Sequence, residues 1–293
     1  MKMKKLLSIF LAACLLTPAT GAFADVETEA RAVIGADLTE QNIADVYAAF
    51  GISRGSVAEL EVTNADEREY LTGYVDDSLI GTRAISCVYI ELMPDGSGLD
   101  VTTSNISWCK PEMYVSALAT AGITDARVIV AAPFEVSGTA ALTGVYLAYE
   151  DITGETLDET AKLVGTQELT MTAELADQIG SFDSVEIVNE LKLILDETQN
   201  MTDDELRAQI EEIASQYNVS LTDSQMDQLI SLCRSLEKLN SDELKAKVES
   251  VQKTIKKMAE AKTKAKSFAE SIKNLVSAVG EFFQRIFSSF KRK

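Results

Sequence analysis

Hydrophobic and polar positions change rhythm twice along the chain. An early apolar run gives way to strand-like and helix-like segments in alternation, and after Gly154 only helical periodicity remains. Val57 to Thr63 alternates with period two, placing Val57, Glu59, Glu61 and Thr63 on one side and Ala58, Leu60 and Val62 on the other. Ala84 to Met93 repeats the pattern, with Val88, Ile90 and Leu92 opposite Ile85, Cys87 and Tyr89. A Pro94-Asp95-Gly96-Ser97 turn leads into a third strand, Leu99 to Ile106, and Ala126 to Ala132 reads as a fourth, with apolar residues on both faces.

Helices fall between the strands. Thr39 is an N-cap for a helix ending at Phe50 before Gly51, with Val46, Ala49 and Phe50 on one face. Asn64 and Glu67 have capping-box spacing for a helix to about Tyr74, and Pro111 opens another that Gly122 closes. The order from Val57 to Ala132 is β-α-β-β-α-β, which predicts an α+β domain with a ferredoxin-like sheet. A helix over 138–151 is expected to pack outside that unit. Beyond it, Thr202 with Glu205 and Thr222 with Gln225 are capping boxes, and Asn218-Val219-Ser220 forms the turn between their helices. From Asp242 to about Phe290 an apolar residue recurs every three or four positions, predicting a long amphipathic, coiled-coil-like helix hinged at Gly280.

The first apolar run is of a different kind. Lys2, Lys4 and Lys5 precede Leu6–Leu16, and Ala22-Phe23-Ala24 ends the segment, the order of an export signal cut after Ala24. The run falls short of the roughly 20 residues that cross a bilayer. Leu11-Ala12-Ala13-Cys14 offers a lipoprotein route as the alternative, although it would leave Leu15 and Leu16 beside the cut. The expected organisation is a signal at 1–24, an α/β domain at 25–154, an acidic helical region at 155–237 and a basic amphipathic helix at 238–293. The expected location is outside the cytoplasm, in association with the cell envelope.

Charge sharpens that division. Residues 25–237 hold 10 Lys/Arg against 40 Asp/Glu, whereas residues 238–293 hold 14 against 6. So acidic a body repels nucleic acid. The basic end suits an anionic envelope surface or a protein partner, and its spacing would also serve self-association as a coiled coil. Phe268, Ile272, Leu275, Val279, Phe282, Phe283, Ile286 and Phe287 form its apolar face, which either lies on a membrane or packs on protein.

Histidine is absent from the sequence, which excludes Ser-His and Cys-His catalysis and imidazole metal sites. Nothing in the pattern calls for a cofactor. Cys87 and Cys109 could form a disulfide in an oxidising exterior. If Met93 faces Gly98 in a hairpin, however, Cys87 faces Ser104, and at about 3.3 Å per residue the chain must turn back sharply to join the sulfurs. The candidate ligand site is Ser137-Gly138-Thr139, where a buried strand meets a helix and free amides can hold an anion. The competing reading is that Ser137 or Thr139 merely caps the helix. As a nucleophile, Ser137 would need a lysine such as Lys110 or Lys162, or a carboxylate. Arg83 is a second candidate for an anionic ligand, unless it pairs with one of the many acids. The acidic pairs Asp76-Asp77 and Asp203-Asp204 lack calcium-loop spacing.

Four segments carry a family resemblance: IGTRAISC (80–87), GSGLDVTTSNISW (96–108), EMYVSALATAGITDA (112–126) and VAAPFEVSGTAALTGVYLAYE (130–150). Together they resemble the YpuA-like exported proteins of Gram-positive bacteria, the domain of unknown function 1002 family. The resemblance implies export and an α/β architecture, and it transfers no catalytic residue. It leads to the expectation of a non-catalytic envelope binding or scaffolding protein, with a histidine-free hydrolase or a small-anion-binding module near Ser137 as the alternative. N-terminal sequencing of protein collected from medium and wall should return Asp25-Val26-Glu27. A lipid-bearing Cys14 at the terminus would instead assign the chain to the lipoprotein route.

Overall fold

The computed structural model describes residues 29–72 and 80–263. Five strands, β1 (Ala30–Gly35), β2 (Ala58–Val62), β3 (Cys87–Leu92), β4 (Leu99–Ile106) and β5 (Ala126–Val136), form one mixed sheet in the order β2-β1-β3-β5-β4. β1 runs parallel to β2 and antiparallel to β3, while β5 runs antiparallel to β3 and parallel to β4. The protein is therefore α+β with a mixed sheet, but its strand order is not the ferredoxin-like one.

Two departures account for the difference. β1, whose Ala-Arg-Ala-Val-Ile-Gly sequence gives little periodic signal, sits between β2 and β3. β5 also separates β3 from β4, where the Pro94–Ser97 turn suggests a hairpin. Val128, Ile129 and Val130 make β5 apolar on both faces, and such a strand is buried best with a neighbour at each edge and a layer on each side. The turn accordingly passes over the start of β5: the Met93 amide donates to the Asp125 carbonyl at 3.0 Å, and the Gly98 amide to the Asp125 carboxylate at 2.7 Å.

Strand parity sends alternate residues into two cores. On one face Ala32, Ile34, Cys87, Tyr89 and Ile129 meet helix α1 (Glu40–Phe50) through Ile43, Val46, Tyr47 and Phe50. Thr39 caps α1 and Gly51 ends it in the left-handed conformation, as the sequence predicts. Ala49 is exposed, because the buried stripe follows the 43, 46, 47, 50 spacing.

On the other face Val33, Val88, Ile90, Val128 and Val130 pack with helix α3 (Pro111–Ala121) and helix α4 (Thr139–Thr153), joined at the side by Leu71 of helix α2 (Asn64–Leu71) in a small cluster of its own with Ile80. Far from packing outside the domain, α4 lies directly on the sheet. A Cβ on Gly144 would come within 3.3 Å of Val33 Cγ1, so the missing side chain lets the helix approach the sheet closely.

The remaining helices are α5 (Glu159–Ile179), α6 (Ser181–Leu193), α7 (Leu195–Thr198), α8 (Asp203–Gln216), α9 (Asp223–Leu236) and α10 (residues 241–263). Both anticipated capping boxes are present, Thr202 with Glu205 on α8 and Thr222 with Gln225 on α9. Helix α10 joins the halves: Leu244 and Val248 enter the helical core, whereas Val251 and Ile255 enter the core under the sheet. Over this stretch the amphipathic stripe is covered by the protein itself. The expected apolar face from Phe268 to Phe287, the hinge at Gly280 and the export signal at 1–24 lie outside the described residues.

Where α3, α5 and α6 converge, the Lys192 ammonium and the Glu168 carboxylate meet at 2.6 Å, and both side chains are 0% exposed. Ser116 and Thr120 of α3 donate to the same carboxylate, each at 2.6 Å, and Lys192 also donates to Asn189 Oδ1 at 3.3 Å. Burial lowers the Lys192 pKa, and the Glu168 charge opposes that effect. Removing one partner leaves the other charged and unpaired in the core. We expect Glu168→Ala to reduce unfolding stability by about 3–5 kcal/mol in urea titration, and the joint Glu168→Leu, Lys192→Met change to recover most of that loss.

Candidate ligand-binding site at the start of helix α4

The loop between β5 and α4 is held from below. The Ser107 and Cys109 amides donate to the Val136 and Ser137 carbonyls at 2.9 and 3.0 Å, and the buried Tyr114 hydroxyl donates to the Gly138 carbonyl at 2.5 Å. Gly138 adopts φ 97°, and a Cβ there would sit 2.5 Å from Ile106 Cγ2 and 2.7 Å from Tyr114 Oη. Only glycine suits this position, on both backbone and contact grounds.

That glycine is also the N-cap, so no side chain caps α4. The reading of Ser137 or Thr139 as a simple cap is thereby corrected. Ser137 Oγ and Thr139 Oγ1 lie 3.4 Å apart, and the first-turn amides keep the partial positive charge of an uncapped helix start.

α2 supplies the opposite wall. Its capping box is Thr63 with Asp66, one residue earlier than Asn64 with Glu67. The shift matters for Glu67, which leaves the cap and turns into the protein at 1% exposure together with Leu71. Its Oε1 has no hydrogen-bond partner among the described residues. Arg68, the nearest cation in sequence, donates to Asn64 Oδ1 at 3.0 Å and to the Gly81 carbonyl at 2.7 Å. Burial, reinforced by the negative charge of Asp37, pushes the Glu67 carboxyl up to about 8, so the group holds its proton at neutral pH.

Glu67, Arg83, Ser86, Ser137, Gly138, Thr139 and Ala140, with Ile80, Ile85 and Val136, line one recess of about 120 Å³. The structure thus unites Arg83 with Ser137, Gly138 and Thr139, and adds Glu67, which the sequence reading misassigned to a cap. Its sequence signal is the spacing to Leu71, one helical turn on, which places an acid on the buried face. No carboxylate pairs with Arg83 among the described residues.

The other candidates lie apart from this recess. Lys110 donates to the Ser107 carbonyl, and Lys162 is buried among Glu150 at 3.0 Å, Glu159 at 2.7 Å and Tyr70 at 3.2 Å. Asp203 binds Arg234 at 2.9 Å; Asp76-Asp77 lie outside the described residues. Cys87 belongs to the α1 face of the sheet and Cys109 to the α3 face, and both are free and buried. The disulfide expectation is corrected accordingly, since the sheet stands between the sulfurs. A larger cavity of about 500 Å³ lies between Thr120–Gly122, Thr156–Ala161 and Lys238–Lys247, but the buried polar atoms without partners lie elsewhere.

Sheet, helical bundle and recess define an α+β protein with helices on both faces of its sheet, extended by an all-helical half, with a small polar pocket at a helix start. The chain belongs to the family described as protein of unknown function (DUF1002), whose model matches residues 34–258. It is similar to the uncharacterized protein YpuA of Bacillus subtilis (strain 168), with 38% identity over 261 residues, 87% of this chain and 86% of that one. No solved structure matches it.

The raised Glu67 pKa fixes a sign. An acid whose pKa rises on folding from 4.5 to about 8 favours the folded state below 4.5 and loses that advantage progressively as pH climbs to 8. Glu67→Gln should therefore flatten the stability profile across that window. By pH 8 the variant should be more stable than the parent by on the order of 3 kcal/mol in thermal or urea unfolding, with little difference near pH 4.

Proposed function

We propose that this chain is an exported, non-catalytic binding protein of the cell envelope. In this reading the sheet domain is the recognition unit and the basic C-terminal segment is the attachment or assembly element. The observation that supports it is a contrast in where reactive groups lie. The Cys87 and Cys109 thiols are pushed up to about 12 and Cys233 to about 11 by burial, which leaves no thiolate for nucleophilic chemistry near neutrality. Lys162 and Lys192 are held in buried ion pairs. The recess at α4, by contrast, is lined by a carboxyl with one oxygen lacking a hydrogen-bond partner and by a guanidinium.

A second reading, a histidine-free hydrolase, draws on the fact that Ser137 shares the recess with a carboxyl group. With a pKa near 8 that carboxyl is mostly protonated at pH 7, so such a hydrolase would be weakly active there and its rate would rise with pH through about 8 before levelling off.

The compartment rests on the signal-like segment 1–24, and the attachment role on the sequence of 264–293. Among the described residues no helix is long and apolar enough to cross a membrane. The proposed partners are an anionic envelope surface, a protein, or a second copy of the chain. Deleting residues 268–293 should move the protein from the envelope fraction into the medium in a fractionated culture. Unchanged retention would refute the attachment role.

A further inference from the structure

We propose that the recess between α2 and the start of α4 is a binding site for a small oxyanion group, gripped by the Arg83 guanidinium, the first-turn amides of α4 and the Glu67 carboxyl acting as a hydrogen-bond donor. This site deepens the binding reading above and rests on it.

Three independent features converge on one ligand chemistry. α4 runs for 15 residues, and no side chain caps it, so the Thr139 and Ala140 amides point outward from the positive end of the helix. Glu67 is 1% exposed, its Oε1 lacks a partner, and it borders the recess. Arg83 is exposed at the rim without a paired acid among the described residues, and its planar fork matches a pair of ligand oxygens. The buried Ser86 and Thr139 hydroxyls complete a wall of donors.

Size and charge narrow the choice. A cavity of about 120 Å³ admits a group of a few heavy atoms and is well below the roughly 300 Å³ at which sites for drug-sized molecules begin. A cationic ligand would meet a guanidinium and a helix N-terminus, both repulsive. An oxyanion meets donors from three sides, provided that Glu67 carries its proton.

The groups facing Glu67 favour that protonated form. Asp37, from the loop after β1, and Asp66, on α2 itself, add negative charge, while Arg68, bonded to Asn64 and Gly81, and the Asn64 side-chain amide act more weakly the other way than burial does. On the elements packed against α2, Glu150 of α4 and Lys162 of α5 pair with one another. The acidic body at large disfavours loose accumulation of anions, so saturable binding would have to arise from a local constellation.

The test uses full-length mature protein titrated with sodium sulfate and, separately, sodium acetate, against sodium chloride at equal ionic strength. Neither probe titrates between pH 6 and 9, and their tetrahedral and planar shapes separate a phosphate-like from a carboxylate-like ligand. We expect saturable shifts of the Thr139 and Ala140 amide resonances with at least one probe at pH 6.5, and affinity falling about tenfold per pH unit above 8. Arg83→Ala, at an exposed position, should weaken binding by at least tenfold. Glu67→Gln, which keeps a donor, should preserve binding at pH 6.5 and remove the fall above pH 8.

Absence of saturation with both probes overturns the site, as does an unaltered pH profile in Glu67→Gln. If either result occurs while the protein still fractionates with envelopes, the envelope reading stands and only the oxyanion site is lost. Binding by a protein found entirely in the cytoplasm would have the opposite meaning.

Discussion

A lysine and a glutamate that solvent does not reach lie 2.6 Å apart at the meeting point of α3, α5 and α6, and the architecture is organised around that contact. α3 covers the sheet, whereas α5 and α6 begin the helical half. Each charge alone would be strongly unfavourable at 0% exposure; together, and with the Ser116 and Thr120 hydroxyls, they are satisfied in a single relative placement of the three helices. The match of one family model to residues 34–258 spans both sides of this junction. Apolar packing then follows the geometry the ions impose, with α10 contributing Leu244 and Val248 to one core and Val251 and Ile255 to the other.

The same junction keeps α3 in place under the loop that forms the recess. Tyr114, on α3, holds the Gly138 carbonyl, so the start of α4 inherits its position from a helix anchored two residues further along, at Ser116, to the buried ions. The recess has its first-turn amides and its acid presented by helices, whereas Arg83 and Ser86 belong to the segment that leads into β3.

Local signals were readable from the sequence because they depend on a few neighbouring residues. Thr39, Gly51, Pro111, Gly122 and the boxes at Thr202 and Thr222 stand where capping and stop preferences place them. The parity of Val88 and Ile90 against Cys87 and Tyr89 also holds. Pairing was not readable, since Pro94–Ser97 has the chemistry of a local turn and only the two-sided apolar character of β5 reveals that another strand must enter there. β1 was hidden by Arg31, which occupies a strand position yet is buried against Asp151 of α4, a long-range ion pair with no local signature. At the recess, Ser137 to Thr139 and Arg83 were identifiable from chain context. Glu67 was masked by a plausible cap one residue out of register, and the distinction between Asn64 and Thr63 as cap rests on the extended backbone of Thr63 and its reciprocal hydrogen bonds with Asp66.

The placement of β1 has a bearing on how the chain reaches this state. Polypeptide delivered from its amino terminus presents β1 first, although both of its hydrogen-bonding edges await partners, β2 at Ala58 and β3 at Cys87. Until those segments arrive, an apolar ribbon with two open edges can recruit any passing strand. Both edges of β1 can be paired only once β2 and β3 have been delivered, and premature crowding of nascent chains is the hazard this order of arrival creates.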